Sequence, residues 1–249
     1  MKKIPLMLIL FFMTSSSFAN CKINTRVTNN QSQYYQDNGQ WKGTAVQLIE
    51  ALLEEANCEP VYIEQPFQRG LESLKNGTIQ LMSNLSITEA RKEYMNFIGP
   101  HRDDTIILMV AEDSIYEINS LDDIKKLPGK IGMVRGGYYG EELKLKLKND
   151  KDFSDKFHLV SKSKQLAPMF QRKRLSGYII ERYRTSHEAN KSKNSTSVKE
   201  HSFIIFHDFV YFGLSKKSVP KDLLAKLQSA YEQARAKGKF KQVLEGYNK

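Results

Sequence analysis

The sequence predicts an α/β fold made of parallel βαβ units. Short runs rich in β-branched and aromatic residues alternate along the chain with longer segments whose apolar residues recur every three or four positions. This alternation of strand and helix patterns is typical of parallel sheets that are covered by helices. The 249 residues are enough for one large domain or for two smaller lobes.

The first half of the chain contains three predicted strands separated by two predicted helices. The longer helix is amphipathic, because its apolar residues recur at spacings of three and four from Ala45 to Ala56. A glycine is expected to end the shorter helix. In chain order the elements are a strand over 21–28, a helix from Gly43 to Asn57, a strand over 60–65, a helix over 70–77 and a strand over 79–84.

The second half continues the alternation, with one segment whose structure the pattern leaves open. Residues 186–201 are almost entirely polar and favour a loop or an exposed helix. A glycine-rich turn over 136–140 leads into a helix, and the amphipathic final helix is expected to end at Gly238. The other predicted elements are strands over 105–113, 130–136, 157–161 and 178–183, a helical segment over 166–177 and a strand region over 203–215.

The N-terminus has the pattern of a cleaved export signal. Two lysines precede an apolar run, and a small-residue cleavage motif ends at Ala19. The run is too short to span a bilayer, which needs about 20 residues. We therefore expect residues 1–19 to be a signal peptide that is removed after Ala19. Lipidation of Cys21 is disfavoured, because Asn20 is not the small residue that a lipidation signal needs there.

Cys21 and Cys58 are the only cysteines in the sequence. An exported protein folds in an oxidising compartment, where two cysteines tend to form a disulfide. The strand pattern also places both cysteines at the same ends of neighbouring predicted strands. We expect a Cys21–Cys58 disulfide, and two buried free thiols are the alternative.

Composition and spacing argue against several other classes of function. The formal net charge of +10 is strongly basic, but the basic tracts over 144–148 and 171–174 lack the interleaved aromatic residues that stack on bases. The five histidines show no metal-ligand spacing. No phosphate-binding loop or nucleophile elbow occurs either. We therefore expect no nucleic acid partner, no metal and no cofactor.

The segment SNLSITEAR (83–91) is the most specific candidate for a binding motif. Thr88 is a favourable N-cap for a helix that begins at Glu89, and the N-terminus of a helix favours a bound anion. Arg91 adds a planar group that can hold a carboxylate through two parallel hydrogen bonds. A capped surface helix with an exposed arginine is the alternative that this motif alone leaves open.

Taken in order, four segments resemble the family-3 extracellular solute-binding proteins, the periplasmic receptors that serve polar amino-acid ABC importers. The resemblance extends from about residue 22 to residue 247, and its strongest parts are residues 39–56, 66–91, 130–140 and 213–247. It implies a two-lobed periplasmic binding protein fold of type II. Each lobe is then a mostly parallel sheet flanked by helices, and two crossing hinge strands join the lobes. Lobe one would comprise residues 20–105 plus 209–249, and lobe two residues 106–208.

The resemblance also implies which residues of lobe one bind a ligand. Arg91 would hold the ligand's carboxylate, with Ser86, Asn84 and Ser83 assisting. Phe67, Tyr34 and Tyr35 match positions where aromatic rings sandwich a ligand. An aromatic ring adds apolar contact area at little entropic cost. One of the two tyrosines is expected to lie outside the pocket, and a plain core position is the alternative for Phe67.

Lobe two departs from the family pattern at three positions. Gly137 and Tyr138 stand where the family often has Gly-Ser or Gly-Thr. The hydroxyl contact that Ser or Thr makes to the ligand's carboxylate is therefore lost, or it is replaced by a backbone N–H or by the phenol of Tyr138 or Tyr139. Ser176 stands where many members carry Asp. Glu181, one methylene longer than Asp, takes the position of the acid that binds the ligand's ammonium. The alternative is that Glu181 is an exposed charge.

The resemblance implies a periplasmic, monomeric binding protein that is not an enzyme. It would capture an amino acid or a related small carboxylate by lobe closure and deliver it to an ABC permease in the inner membrane. Two alternatives stay open: a dehydratase-like enzyme on the same fold, and a ligand-sensing partner of a membrane receptor.

Overall fold

The computed structural model describes residues 21–29, 33–183 and 198–247. The predicted signal peptide over 1–19 lies outside these residues, as does most of the polar segment over 186–201, so both interpretations stay predictions. The described chain is a mixed α/β protein, and the predicted fold class is confirmed. Within the described residues, no helix has the length and apolar character needed to cross a membrane.

Ten strands are described, and most of them lie where the sequence predicts a strand. A short hairpin, β2–β3, was not predicted and precedes the first helix. The strands are β1 (Cys21–Val27), β2 (Tyr35–Asp37), β3 (Gln40–Lys42), β4 (Cys58–Glu64), β5 (Leu81–Leu85), β6 (Met95–Ala111), β7 (Ile131–Val134), β8 (Phe157–Val160), β9 (Gly177–Glu181) and β10 (Val198–Ser215).

The predicted helices are also present, and a further short helix follows the predicted final one. Gly238 has a φ of 70° and separates these last two helices, as its predicted role as a helix terminator requires. The helices are α1 (Thr44–Glu55), α2 (Phe67–Asn76), α3 (Glu89–Lys92), α4 (Glu141–Asn149), α5 (Lys151–Ser154), α6 (Leu166–Gln171), α7 (Lys221–Ala236) and α8 (Lys239–Tyr247), with 3-10 turns over Asp122–Lys126 and Ser163–Gln165.

Eight of the strands form one sheet in the order β4-β1-β5-β10-β6-β9-β7-β8. The pairs on its two flanks are parallel: β1 with β4 and β5, and β7 with β8 and β9. The two long strands β6 and β10 lie in the middle and pair antiparallel with each other. Both are longer than predicted, because the ladder continues through polar residues that interrupt the apolar pattern in the sequence.

Four hydrophobic clusters cover the sheet. Two clusters use residues 23–98 and 212–240, and they pack α1, α2, α7 and α8 against the flank formed by β4, β1 and β5. The other two use residues 106–180 and pack α4, α5 and α6 against the flank formed by β9, β7 and β8. The core is therefore divided between the flanks, and β6 and β10 contribute to both parts.

The structure contains the predicted disulfide. Cys21 and Cys58 are directly opposite each other in the β1–β4 ladder and are bonded. The alternative of two free thiols is wrong. The bond encloses a loop with a sequence separation of 37 residues, which contains α1.

We predict that replacing both cysteines by serine destabilises the protein by roughly 3–4 kcal/mol, because the open loop regains conformational freedom in the unfolded chain. Urea unfolding of the oxidised protein and of the double variant measures this difference. Adding a reducing agent should lower the stability of the native protein towards that of the variant and leave the variant unchanged. An equal effect of reductant on both proteins would contradict the prediction.

Candidate functional site

A cavity lies between the two flanks of the sheet, where the carboxyl ends of the parallel strands meet. It is open to solvent on one side, and its accessible volume is about 70 Å³. All of the predicted binding residues except Tyr35 line it. Tyr34 is buried, whereas Tyr35 begins the β2–β3 hairpin and faces the opposite way, since successive side chains of an extended chain alternate in direction.

The guanidinium group of Arg91 is buried in the wall of this cavity. The residue is 6% exposed, and its Nη1 and Nη2 donate to the carbonyl oxygens of Ser86 (2.8 Å) and Gly136 (3.2 Å). Burial lowers the pKa of Arg91. Within the described part of the chain, no carboxylate forms an ion pair with it. The alternative of an exposed arginine on a surface helix is therefore wrong.

The helix around Arg91 is shorter than the sequence predicts. Thr88 does cap it, since its hydroxyl accepts from the Arg91 N–H at 3.2 Å, but α3 ends after four residues at Lys92. The dipole of a single turn is small because few peptide units are aligned in it. The attraction of this site for an anion therefore comes mainly from the guanidinium group.

A cluster of neutral polar side chains lies beside Arg91 at the ends of β1 and β5. Thr25 of β1 pairs with Leu81 of β5 in a parallel ladder. The same register, continued three residues along both strands, places Thr28 beside Asn84. Asn84, with a φ of 61°, donates its side-chain N–H to Gln33 Oε1 at 3.2 Å. Among the described residues, no hydrogen-bond partner is found for the buried atoms Thr28 Oγ1, Gln33 Nε2, Ser83 Oγ and Asn84 Oδ1.

Buried polar atoms without partners are costly, so each one needs an explanation. The four named here line one cavity, which indicates a surface suited to a polar group that both donates and accepts. Thr28 and Gln33 were missed in the sequence, because Thr28 is only the last residue of the predicted strand over 21–28 and Gln33 lies in the polar stretch that follows it. The signal that could have found them is their position directly after a strand whose carboxyl end faces the cavity.

His101 supports this cluster from behind. It is buried against the ring of Phe212, with ring centroids 4.3 Å apart, and its Nε2 accepts from the backbone N–H of Asn84 at 3.4 Å. Burial and the nearby charge of Arg102 lower the pKa of His101 to about 3. The imidazole is therefore neutral at physiological pH and acts as an acceptor that holds the turn at Asn84.

A second arginine, Arg26 of β1, also lines the cavity and was missed in the sequence. It is 4% exposed, and its Nε donates to the carbonyl oxygen of Gln65 at 3.0 Å. The guanidinium carbons of Arg26 and Arg91 lie 5.5 and 5.9 Å from the ring centroid of Phe67. Phe67 thus orders both guanidinium groups by cation–π contact, and it is a cavity residue as well as part of the core.

The opposite flank contributes aromatic rings and a tight turn. The Tyr139 hydroxyl accepts from the Val134 N–H at 3.0 Å, so it is already used within the loop. A side chain at Gly137 would lie within 2.7 Å of the Tyr139 ring. Tyr138 packs edge-on against Phe206, with centroids 5.5 Å apart. The Tyr138 phenol is therefore better placed than the Tyr139 phenol to supply the hydroxyl contact that Ser or Thr would make at position 138.

The acidic side chains lie at the central strands. Glu181 ends β9 and lines the cavity together with Asp104 of β6, which was missed in the sequence. Arg102 Nη1 is 3.0 Å from Asp104 Oδ1, close enough for an ion pair but not aligned for a hydrogen bond. Burial raises the pKa of Asp104 to about 6, against the opposing effect of Arg102, and the charge of Glu181 adds to the rise.

Two contacts join the flanks across the cavity. Arg91 reaches the carbonyl oxygen of Gly136, and Lys162, at the end of β8, forms a 3.0 Å ion pair with Glu64 at the end of β4. Gly136 has a φ of 80°, which a larger residue adopts only with strain. The flanks are therefore held close together. In the described residues, no group of His, Cys, Asp and Glu side chains is arranged to hold a metal ion.

Comparison with known proteins gives a consistent result. The model of the bacterial extracellular solute-binding proteins, family 3, matches residues 21–249. The chain is 25% identical to a probable histidine-binding protein of Neisseria gonorrhoeae over 213 residues, which are 84% of this chain and 75% of that protein.

Two solved structures share the fold at low sequence identity. An ancestral arginine-binding protein bound to glutamine has a TM-score of 0.77 and 18% identity, and the match covers 92% of this chain and 98% of that one. A histidine kinase sensor domain with similarity to periplasmic binding proteins has a TM-score of 0.76 and 14% identity, covering 92% and 96%. These likenesses confirm the predicted type II binding protein fold.

The raised pKa of Asp104 predicts a pH dependence of stability. A carboxyl group whose pKa is about 6 in the folded protein and 3.8 in the unfolded chain takes up a proton on folding, so its contribution favours the folded state at low pH. That contribution is lost as the pH rises from about 4 to about 6. We expect the free energy of unfolding of the native protein, minus that of Asp104→Asn, to fall by about 3 kcal/mol across this window.

Urea unfolding of both proteins at a series of pH values measures this difference. The control is Asp103→Asn, which removes a neighbouring exposed carboxylate. Parallel pH profiles for the native protein and Asp104→Asn would show that Asp104 titrates normally.

Proposed function

We propose that this chain, which belongs to the bacterial extracellular solute-binding proteins of family 3, binds a free amino acid in the cavity between its two flanks. The observation that carries the proposal is the buried guanidinium group of Arg91, which lines the cavity and has no ion-pair partner in the described chain. A buried cation without a counter-charge is costly. A ligand carboxylate would supply that charge through two parallel hydrogen bonds.

The other groups of an α-amino acid find suitable partners in the same cavity. Glu181 is proposed to accept from the ammonium group, and Ser86 lies beside Arg91, where it would assist in holding the carboxylate. Phe67 and Tyr34 offer apolar area for the ligand's carbon skeleton. The neutral cluster of Thr28, Gln33 and Asn84 would receive a polar side chain, because it offers both donors and acceptors.

We further propose that binding closes two lobes, one of residues 20–105 plus 209–249 and the other of residues 106–208. The division of the hydrophobic core between the flanks supports these boundaries, since β6 and β10 are the strands shared by both parts. Each lobe supplies part of the ligand contacts, so a ligand favours the closed state by its differential affinity.

The closed, loaded protein would then deliver its ligand to an ABC permease. Family membership and the export pattern over residues 1–19 support a periplasmic location and this delivery role. Ligand capture needs no covalent chemistry, so we propose that the protein is not an enzyme. Incubation with prephenate, followed by detection of a dehydrated product, would overturn that part of the proposal.

We predict that Arg91→Ala abolishes amino-acid binding, because it removes the counter-charge for the ligand's carboxylate. A thermal-shift screen of the twenty standard L-amino acids identifies the ligand. Ligand at about 100 times its dissociation constant should stabilise the native protein by roughly 2.7 kcal/mol, and the variant should show no shift.

Two further variants sharpen this test. Arg91→Lys keeps the charge but loses the planar pair of donors, so it should bind more weakly than the native protein and more strongly than Arg91→Ala. Arg69→Ala removes an exposed arginine of α2 and should leave binding unchanged. An amino-acid shift of full size in Arg91→Ala would exclude the proposed carboxylate site.

The ion pair between Lys162 and Glu64 predicts a smaller effect on the same binding. Both side chains are partly exposed, 29% and 42%, so the pair is screened by solvent. Lys162→Met should weaken binding by roughly two- to fivefold, and high salt should reduce this difference. Titration calorimetry on Lys162→Met, Glu64→Gln and the double variant measures the coupling, with Lys148→Met, at an exposed lysine of α4, as the control. Strictly additive losses would show that the pair does not stabilise closure.

A further inference from the structure

The carboxylate of Asp104 is a buried charge that the proposed function leaves without a role. Asp104 lies in the middle of β6, is 7% exposed and lines the cavity. Its Oδ1 is paired with Arg102 at 3.0 Å but accepts no aligned hydrogen bond from any described residue. A buried carboxylate normally accepts several hydrogen bonds, so Asp104, which lines the cavity, retains acceptor capacity.

The strand register brings Asp104 close to Glu181. Ile106 pairs directly with Glu181 across the β6–β9 ladder. Asp104 is two residues before Ile106 and therefore lies on the same face of the sheet. Residues in this diagonal relation are about 7–8 Å apart, which is within reach of long side chains. The two carboxylates thus converge on one part of the cavity, and both line it.

Asp104 has charged and polar neighbours on every strand packed against it. On its own strand Arg102 supplies one positive charge, and the neighbouring Asp103 is exposed. On β10, Asp208 pairs with Asp104 and adds a negative charge on the same face. After β9, the ring of Tyr183 lies 4.6 Å from the Arg102 guanidinium carbon. Asp104 therefore lies beside Arg102 and close to two further carboxylates, those of Glu181 and Asp208.

The pKa of Asp104 is raised to about 6 first by burial, against the opposing charge of Arg102, and the charge of Glu181 adds to the rise. A cation bound between Asp104 and Glu181 would stabilise the charged form of both carboxyl groups. An ammonium group carries three N–H donors and is able to bond two carboxylates at once.

We propose that Asp104 is a second ligand-binding carboxylate, which shares the ligand's α-ammonium group with Glu181. This inference rests on the proposed function, since it requires an amino acid whose carboxylate is held at Arg91. When the ammonium group binds, the Asp104 carboxyl group loses its proton to the buffer and the resulting carboxylate accepts from the ammonium N–H. Binding near pH 6 is therefore accompanied by proton release.

The test uses the L-amino acid that gives the largest thermal shift with the native protein. Titration calorimetry near pH 6, in two buffers with different ionisation enthalpies, counts the protons released on binding. We expect the native protein to release roughly half a proton near the pKa of Asp104 and almost none near pH 8. Asp104→Asn should remove this release and weaken binding by roughly tenfold to a hundredfold.

Two controls separate a binding role from a structural one. Asp103→Asn should keep both the affinity and the proton release of the native protein. The α-deamino analogue of the same amino acid, in which hydrogen replaces the ammonium group, should bind the native protein weakly and without proton release. Its affinity should be unaffected by Asp104→Asn. The analogue experiment on the native protein also tests the proposal should Asp104→Asn fail to fold.

The outcomes distinguish this inference from the proposed function. Native affinity and native proton release in Asp104→Asn would overturn the role of Asp104 and leave amino-acid binding intact. Equal losses for the amino acid and its deamino analogue would also overturn it, because they indicate a structural effect. Failure of the folded native protein to bind any of the twenty amino acids would overturn both.

Discussion

The buried guanidinium group of Arg91 is the constraint on which the arrangement of the site depends. Taking such a charge out of water is unfavourable unless polar groups surround it, and the protein surrounds it with carbonyl oxygens rather than with a carboxylate. One of these carbonyls belongs to Ser86 in the same loop, and the other belongs to Gly136 on the opposite flank. The residue that is proposed to bind the ligand's carboxylate therefore also joins the two halves of the molecule.

The topology explains why so many polar groups meet at one place. Parallel strands end at a common edge of the sheet, so the loops after β1 and β5 face those after β7, β8 and β9. The antiparallel strands β6 and β10 pass between these edges, and β6 places the side chain of Asp104 in the cavity wall. Neutral and cationic groups thus come from β1, β5 and the segments that follow the parallel strands, whereas the acids come from β6 and the end of β9.

The sequence predicted the parts of the fold that follow from local pattern. Apolar periodicity placed α1, and the strand pattern together with the predicted export placed the Cys21–Cys58 disulfide. Arg91 was found because its neighbours form a recognisable motif. Asp104 and Arg102 were missed, because a charged stretch resembles an exposed loop when read as a sequence. Only the ladder between β6 and β10 shows that these residues continue a buried strand.

The two charged parts of the cavity place joint demands on a ligand. In the proposed binding mode, a simple carboxylate would engage Arg91 but not the acidic residues, and a simple amine would do the reverse. A zwitterion satisfies both while adding no net charge to a poorly solvated cavity, which avoids the desolvation cost of burying a single charge. If the ligand's carboxylate binds Arg91 as proposed, it competes with the Gly136 carbonyl for the guanidinium group. Affinity would then depend on contacts that the two flanks already make with each other, and a ligand that also engages the acids would be favoured over one that binds Arg91 alone.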